Sequence, residues 1–117
     1  MKKQYRVKKN KEIELILKEK KYCSNLYFSV YKRENKETIN FRYAISVGKK
    51  IGKANIRNKI KRQITNIIDN LDIDLSSNID VFIIVRQKIL EIDFETMKKQ
   101  LAYLFKKQNI LRGGKNE

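Results

Sequence analysis

Isoleucine recurs through the middle of the chain at helical spacing. Ile56, Ile60, Ile64, Ile67, Ile68 and Leu71 fall on one side of a wheel that turns about 100° per residue, which predicts a long helix over 54–70 with one dry face. Asn58, Lys61 and Arg62 occupy the opposite flank, with Arg57 at the border and Lys59 further round. Upstream the period changes to two. Tyr27, Ser29 and Tyr31 alternate with Phe28 and Val30, and Phe41, Tyr43, Ile45 and Val47 alternate with Arg42, Ala44 and Ser46. These segments predict two strands paired as a hairpin across the polar turn 32–38, with room for a further strand split from the second. Asn10, followed by Ile13, Leu15, Ile16 and Leu17, predicts a capped amphipathic helix over 11–20. Ile79 to Arg86 is nearly all apolar and β-branched, as in a strand buried on both faces. After it, Asp93 can cap a final helix that carries Phe94, Met97, Leu101, Leu104 and Phe105 at helical spacing. Residues 71–78 read as a polar turn, and the N-terminal residues and the tail 112–117 as flexible ends.

This order of elements describes an α/β (α+β) sandwich, a mixed sheet of about four strands with one face covered by helices. A strand, helix and strand between 41 and 86 would ordinarily be joined by a right-handed crossover. With 117 residues and no repeat, linker or proline, the chain reads as a single domain over 1–117.

Charge sharpens the picture. The formal net charge is +15, and such a surface repels itself unless it meets something strongly negative. Abundant Lys, Ile and Asn raise the positive charge everywhere, but they do not explain a window from Glu37 to Asp69 that lacks internal acidic residues while holding eight Lys or Arg. Seven of those cations lie between Gly48 and Arg62: Lys49, Lys50, Lys53, Arg57, Lys59, Lys61 and Arg62. A helix anchored by isoleucines can hold such cations at fixed geometry against a phosphate backbone. Arginines supply forked contacts, lysines point charges, and Asn58 a neutral donor and acceptor.

Several chemistries are disfavoured. The chain has no histidine, hence not the usual general base or the commonest metal ligand. Its single cysteine, Cys23, cannot form an internal disulfide and reads as a small packed side chain. Asp72, Asp74 and Asp80 could be drawn as a two-carboxylate metal site, but without a base or third ligand they read as parts of a polar turn. No apolar run approaches the roughly 20 residues that cross a bilayer, and the basic start lacks the apolar stretch of a signal peptide. A cytoplasmic protein with no membrane contact is expected.

The run Arg57-Asn58-Lys59-Ile60-Lys61-Arg62, preceded by Ser46-Val47-Gly48-Lys49-Lys50-Ile51-Gly52-Lys53-Ala54, closely resembles the signature of the bacterial ribonuclease P protein component. Tyr5 to Asn10 resembles that family's N-terminal segment, Phe28 to Tyr31 its first strand and Asp80 to Arg86 its last, so the resemblance covers most of residues 5–105. It implies an accessory subunit of an endoribonuclease that cuts the 5′ leader from precursor tRNA, with catalysis left to a large RNA and its magnesium ions and no obligate protein partner. It also implies a left-handed crossover, against the ordinary rule, and a cleft between the sheet and the first helix that holds the leader. Lys49, Lys50, Lys53, Arg57, Asn58, Lys59, Lys61 and Arg62 would bind the RNA subunit; Ile13, Leu17, Tyr27, Ser29 and Tyr31 would line the leader cleft.

Tyrosines on an open strand face suit that role, because stacking on bases is tolerant of sequence. Two positions depart from the family pattern. Thr65-Asn66 stands where a further Arg-Glu or similar pair is usual, so one phosphate contact is expected to be missing. Ile13 and Leu17 stand where phenylalanines are common, so leader binding is expected to lean on Tyr31 and on charge. Lys2, Lys3, Lys8, Lys9 and Lys11 read equally as a solubilising tail or as RNA contacts. A non-catalytic RNA-binding protein of the ribosome or its assembly fits the charge and the α/β pattern equally well.

Overall fold

The computed structural model describes residues 3–112 and runs α1 (Asn10–Lys18), β1 (Tyr22–Ser24), β2 (Phe28–Glu34), β3 (Arg42–Val47), α2 (Ala54–Asp69), β4 (Ile79–Val85) and α3 (Phe94–Lys107), with short 3-10 turns over Lys3–Tyr5, Lys49–Ile51 and Gln87–Glu91. The expected flexibility of 113–117 lies outside the described residues. One four-stranded sheet has the order β1-β2-β4-β3, mixed because β3 alone runs parallel to its neighbour, β4.

That order corrects the expected hairpin. β2 and β3 do not pair with each other; β4 lies between them, with Ile83 opposite Val30 on one side and Ile45 on the other. The reason is burial: β4 carries apolar side chains on both faces and takes the centre, whereas β2 and β3 each carry polar residues on one face. The segment linking them crosses the end of the sheet instead, with the Asn35 N–H donating to the Asn78 carbonyl at 2.8 Å and the Phe41 N–H to the Leu75 carbonyl at 3.0 Å. The fourth strand comes from 22–24 rather than from the Phe41–Val47 segment.

Side chains alternate across the sheet, and each face has its own helices. Phe28, Val30, Tyr43, Val47, Val81, Ile83 and Val85 build the larger core with Ile60, Ile64, Ile67 and Ile68 of α2 and Met97, Leu101, Leu104 and Phe105 of α3. On the reverse face Ala44 and Phe82 receive Val7 and Ile16, with Ile13, Leu17, Tyr31 and Ile84 packed at the margin. The long basic helix and the C-terminal helix thus share one face, as expected, while α1 covers part of the other. The first helix lies at the cleft on the reverse face, as the resemblance implied, and β4, apolar on both sides, lets each face carry its own core.

Two ends of helices differ in how they are closed. Asp93 caps α3, its carboxylate accepting the Thr96 N–H at 2.9 Å. In α1, Asn10 is already helical and the preceding Lys9 makes no side-chain cap. α1 is secured instead by charge. Arg42 donates to Glu12 of α1 at 2.7 Å and to both oxygens of Asp80 on β4 at 3.0 and 2.8 Å. Ile56, expected on the dry stripe, is 39% exposed at the first turn of α2. It lies over Gly52, where an added Cβ would come within 3.2 Å of its side chain, so the loop before α2 passes too close for a larger residue without a shift.

Candidate nucleic-acid interface

α2 separates its two tasks by face. Ile60, Ile64, Ile67 and Ile68 are buried, while Lys53, Asn58, Lys59 and Arg62 are exposed and Arg57 and Lys61 half-buried. Lys49 and Lys50 project from the exposed 3-10 turn just before it. Arg57 Nε donates to the Gly52 carbonyl at 3.1 Å, which holds its guanidinium beside the start of the helix. The first turn of α2 contains no acidic residue. Its unpaired N–H groups and the positive end of the helix dipole therefore add to the lysines, an arrangement that destabilises the isolated helix and favours a bound anion.

A shallow groove of about 530 Å³ follows this helix, lined by Arg6, Asn58, Lys61, Arg62, Thr65, Asn66 and Asp69. Arg6 reaches it from outside the motif. It bridges to Tyr43 beside β3, its guanidinium sits 5.0 Å over the Tyr43 ring, and the adjacent Val7 N–H donates to the Tyr43 carbonyl at 2.8 Å. Thr65 and Asn66 make the middle of the groove neutral, and Asp69 closes the end of the helix. Ion pairs join Glu12 and Asp80 to Arg42, Glu19 to Arg33, Asp72 to Arg112 and Glu91 to Lys88, each outside residues 49–62. No acidic residue occurs in the sequence from 38 to 68, so the positive charge of 49–62 is not offset within its own run.

The second feature lies across the sheet, between α1 and the open part of its reverse face. Ile13 and Leu17 of α1 and Tyr31 of β2 are brought together there with Ile84, and Ser29 is half-buried on the same face with its hydroxyl 2.7 Å from that of Ser24. Tyr27 does not join them. It precedes β2, its N–H bonds the Asn25 side chain at 2.9 Å, and its ring packs against the larger core. The Asn25 turn breaks the alternation that would have put it beside Ser29.

Sequence reasoning missed Arg6, Tyr22 and Ser24. Tyr22 stands opposite Tyr31 in the ladder, and their rings stack at 4.8 Å between centroids with an interplanar angle of 25°. A three-residue strand is too short to show a period, so only the pairing of β1 with β2 exposes the relationship. The three aspartates drawn as a metal site are each engaged separately. Asp72 pairs with Arg112 at 3.1 Å, Asp74 accepts from Ser76 at 2.6 Å, and Asp80 pairs with Arg42. Hydrogen bonds from Ser76 lower the Asp74 pKa from the usual aspartate value. No group of three or more His, Cys, Asp or Glu among the described residues is placed to hold a metal ion.

A cationic ridge on one side and an apolar, tyrosine-bearing cleft on the other define a small basic α/β nucleic-acid-binding domain. The comparisons with known proteins specify which. The family model described as Ribonuclease P matches residues 1–109, and the chain belongs to that family. It is 40% identical over 112 residues to the ribonuclease P protein component of Bacillus cereus strain AH187, covering 96% of this chain and 97% of that one. Among solved structures it is similar to the RNase P protein of Staphylococcus aureus, with a TM-score of 0.82 and 34% identity over 92% of this chain and 98% of that one. It is also similar to the RNase P protein of Thermotoga maritima, with a TM-score of 0.77 and 34% identity over 87% and 96% of the two chains.

Proposed function

We infer that the chain is the protein subunit of a ribonuclease P ribonucleoprotein, which binds a catalytic RNA and precursor tRNA and assists removal of the 5′ leader. It is an accessory subunit, and the RNA carries the catalysis. The observation that supports this most directly is the ridge of cations, with no acidic residue in its first turn, on a helix whose other face is locked into the core. Rigid anchoring matters because a folded RNA presents phosphates at fixed spacings, and a ridge that need not be ordered on binding loses less entropy when it docks. In this reading Lys49, Lys50, Lys53, Arg57, Asn58, Lys59, Lys61 and Arg62, with Arg6 beside them, seat the protein on the RNA. Ile13, Leu17, Ser29 and Tyr31 face the leader; Tyr27 supports the core beneath. Magnesium belongs to the RNA, and the protein contributes by neutralising phosphate repulsion and holding the single-stranded leader by contacts tolerant of sequence. The site of action we propose is the cytoplasm.

Reconstitution tests the assignment. The protein added to the catalytic RNA at low magnesium is expected to restore leader removal from a labelled precursor, while the protein alone cleaves nothing. A general ribosomal RNA binder would leave the low-magnesium RNA inactive, and that result would overturn the assignment.

A further inference from the structure

The leader cleft of this chain holds a stacked tyrosine pair, and the outer ring belongs to neither the first helix nor β2. Tyr31 is half-buried, with Ile13 and Leu17 in the same small cluster and Tyr22 stacked on its ring at 4.8 Å. Tyr22 is 53% exposed. A base could not stack on the Tyr22 side of Tyr31 without displacing Tyr22, whereas the outer ring is open. Ile13 and Leu17 can pack against a base but offer no ring to stack on. The exposed π surface beside the cleft is therefore on β1.

β1 is built to hold that ring still. Lys20 adopts a left-handed conformation (φ 55) in the turn out of α1, and the Lys32 N–H bonds the Lys21 carbonyl at 3.0 Å, which fixes the start of the strand against β2. Cys23 pairs with Val30 in the ladder, and the hydroxyls of Ser24 and Ser29 meet at 2.7 Å. A ring already stacked on a neighbour gives up little rotamer freedom when a base arrives. The exposed Lys20 and Lys21 immediately before it supply positive charge for the phosphates of the same nucleotide strand.

We propose that Tyr22 is the residue on which a nucleobase of the 5′ leader stacks, with Tyr31 as the backing ring that orients it. The proposal rests on the leader-binding reading of the cleft and deepens it. It assigns leader recognition to the β1 edge of the sheet and makes the contact one of stacking rather than of hydrogen-bonded sequence readout.

The test uses the holoenzyme reconstituted from the full chain and the catalytic RNA, with affinity measured for a precursor tRNA and for the mature tRNA. Tyr22→Ala is expected to weaken precursor binding by about five- to 150-fold, the range that one stacked base contributes, and to leave mature tRNA binding unchanged. Tyr22→Phe should retain wild-type affinity, and Tyr22→Leu should behave like alanine, because area without a π face does not stack. A series of precursors with one abasic leader nucleotide at a time, bound to the wild-type holoenzyme, should contain one position that reproduces the loss and on which Tyr22→Ala adds nothing further. Wild-type discrimination between precursor and mature tRNA that Tyr22→Ala leaves intact would overturn the assignment to Tyr22 alone. So would equal losses on both ligands or full activity of Tyr22→Leu. A wild-type holoenzyme that binds both tRNAs alike would overturn the leader reading itself.

Discussion

Asp80 shows how one residue ties the two sides of the sheet to the cleft. It is 0% exposed on the central strand, and a carboxylate so placed is tolerable only when its lone pairs are filled and its charge is met. Asn35 Nδ2 donates to it at 3.0 Å, and Arg42 takes both its oxygens while also reaching Glu12 on α1. The hydrogen bond to Asp80, opposed by burial and reinforced by Glu12, raises the Arg42 pKa above its usual value, so the guanidinium stays charged at any working pH. Arg42→Ala would leave Asp80 buried with Asn35 alone. We expect it to cost about 3–5 kcal/mol in urea-induced unfolding, with most of that recovered when Asp80 is replaced by Leu in the same chain. An Arg42→Ala cost near zero would show that the pair holds neither the fold nor α1. Read with Asp72 and Asp74 as part of a polar turn, Asp80 instead lies inside β4, and its partners were not legible because Asn35, Arg42 and Glu12 are distant along the chain.

At the level of elements, legibility follows the length of the period. α2 and α3 repeat their apolar positions over four turns or so, β4 is apolar but for Asp80, and each was readable with its boundaries nearly right. β1 was not readable at three residues, and neither was strand order, since alternation says which face a side chain takes and nothing about the neighbouring strand. The same limit divided the site: the ridge on α2 is local in sequence, whereas Arg6 and Tyr22 reach their places through pairing with β3 and β2. The cap of α3 was legible and carries its own pH dependence. Hydrogen bonds from the Thr96 side chain and backbone N–H hold the Asp93 carboxyl below its usual pKa. A carboxyl with a lower pKa folded than unfolded stabilises the fold fully above the unfolded value and loses that contribution as pH falls through the folded one. Asp93→Ala should therefore reduce stability at neutral pH and make the acid limb of the stability curve shallower. An unchanged acid limb in denaturant titrations from neutral to strongly acidic pH would mean that the capping bond contributes nothing.

Across the whole molecule, a charge of +15 attracts any polyanion, so affinity alone cannot separate a docking ridge from a diffuse positive surface. Salt dependence can. Each phosphate contact made by a fixed cation releases condensed counterions, and losing one should lower the slope of log affinity against log salt by about 0.7–0.9. Arg57→Gln and Arg62→Gln are each expected to produce that decrement for the catalytic RNA and to weaken binding whatever tRNA is present, unlike changes at Tyr22. Lys36→Gln provides the comparison: it removes the same formal charge from an exposed position in the turn between β2 and β3, outside the basic run, and should leave the slope unchanged. If all three substitutions shift the slope equally, the positive surface acts as an undirected cloud and α2 loses its special place. A decrement confined to the two arginines would mean that contact geometry, set by isoleucines in the core, decides where the RNA sits.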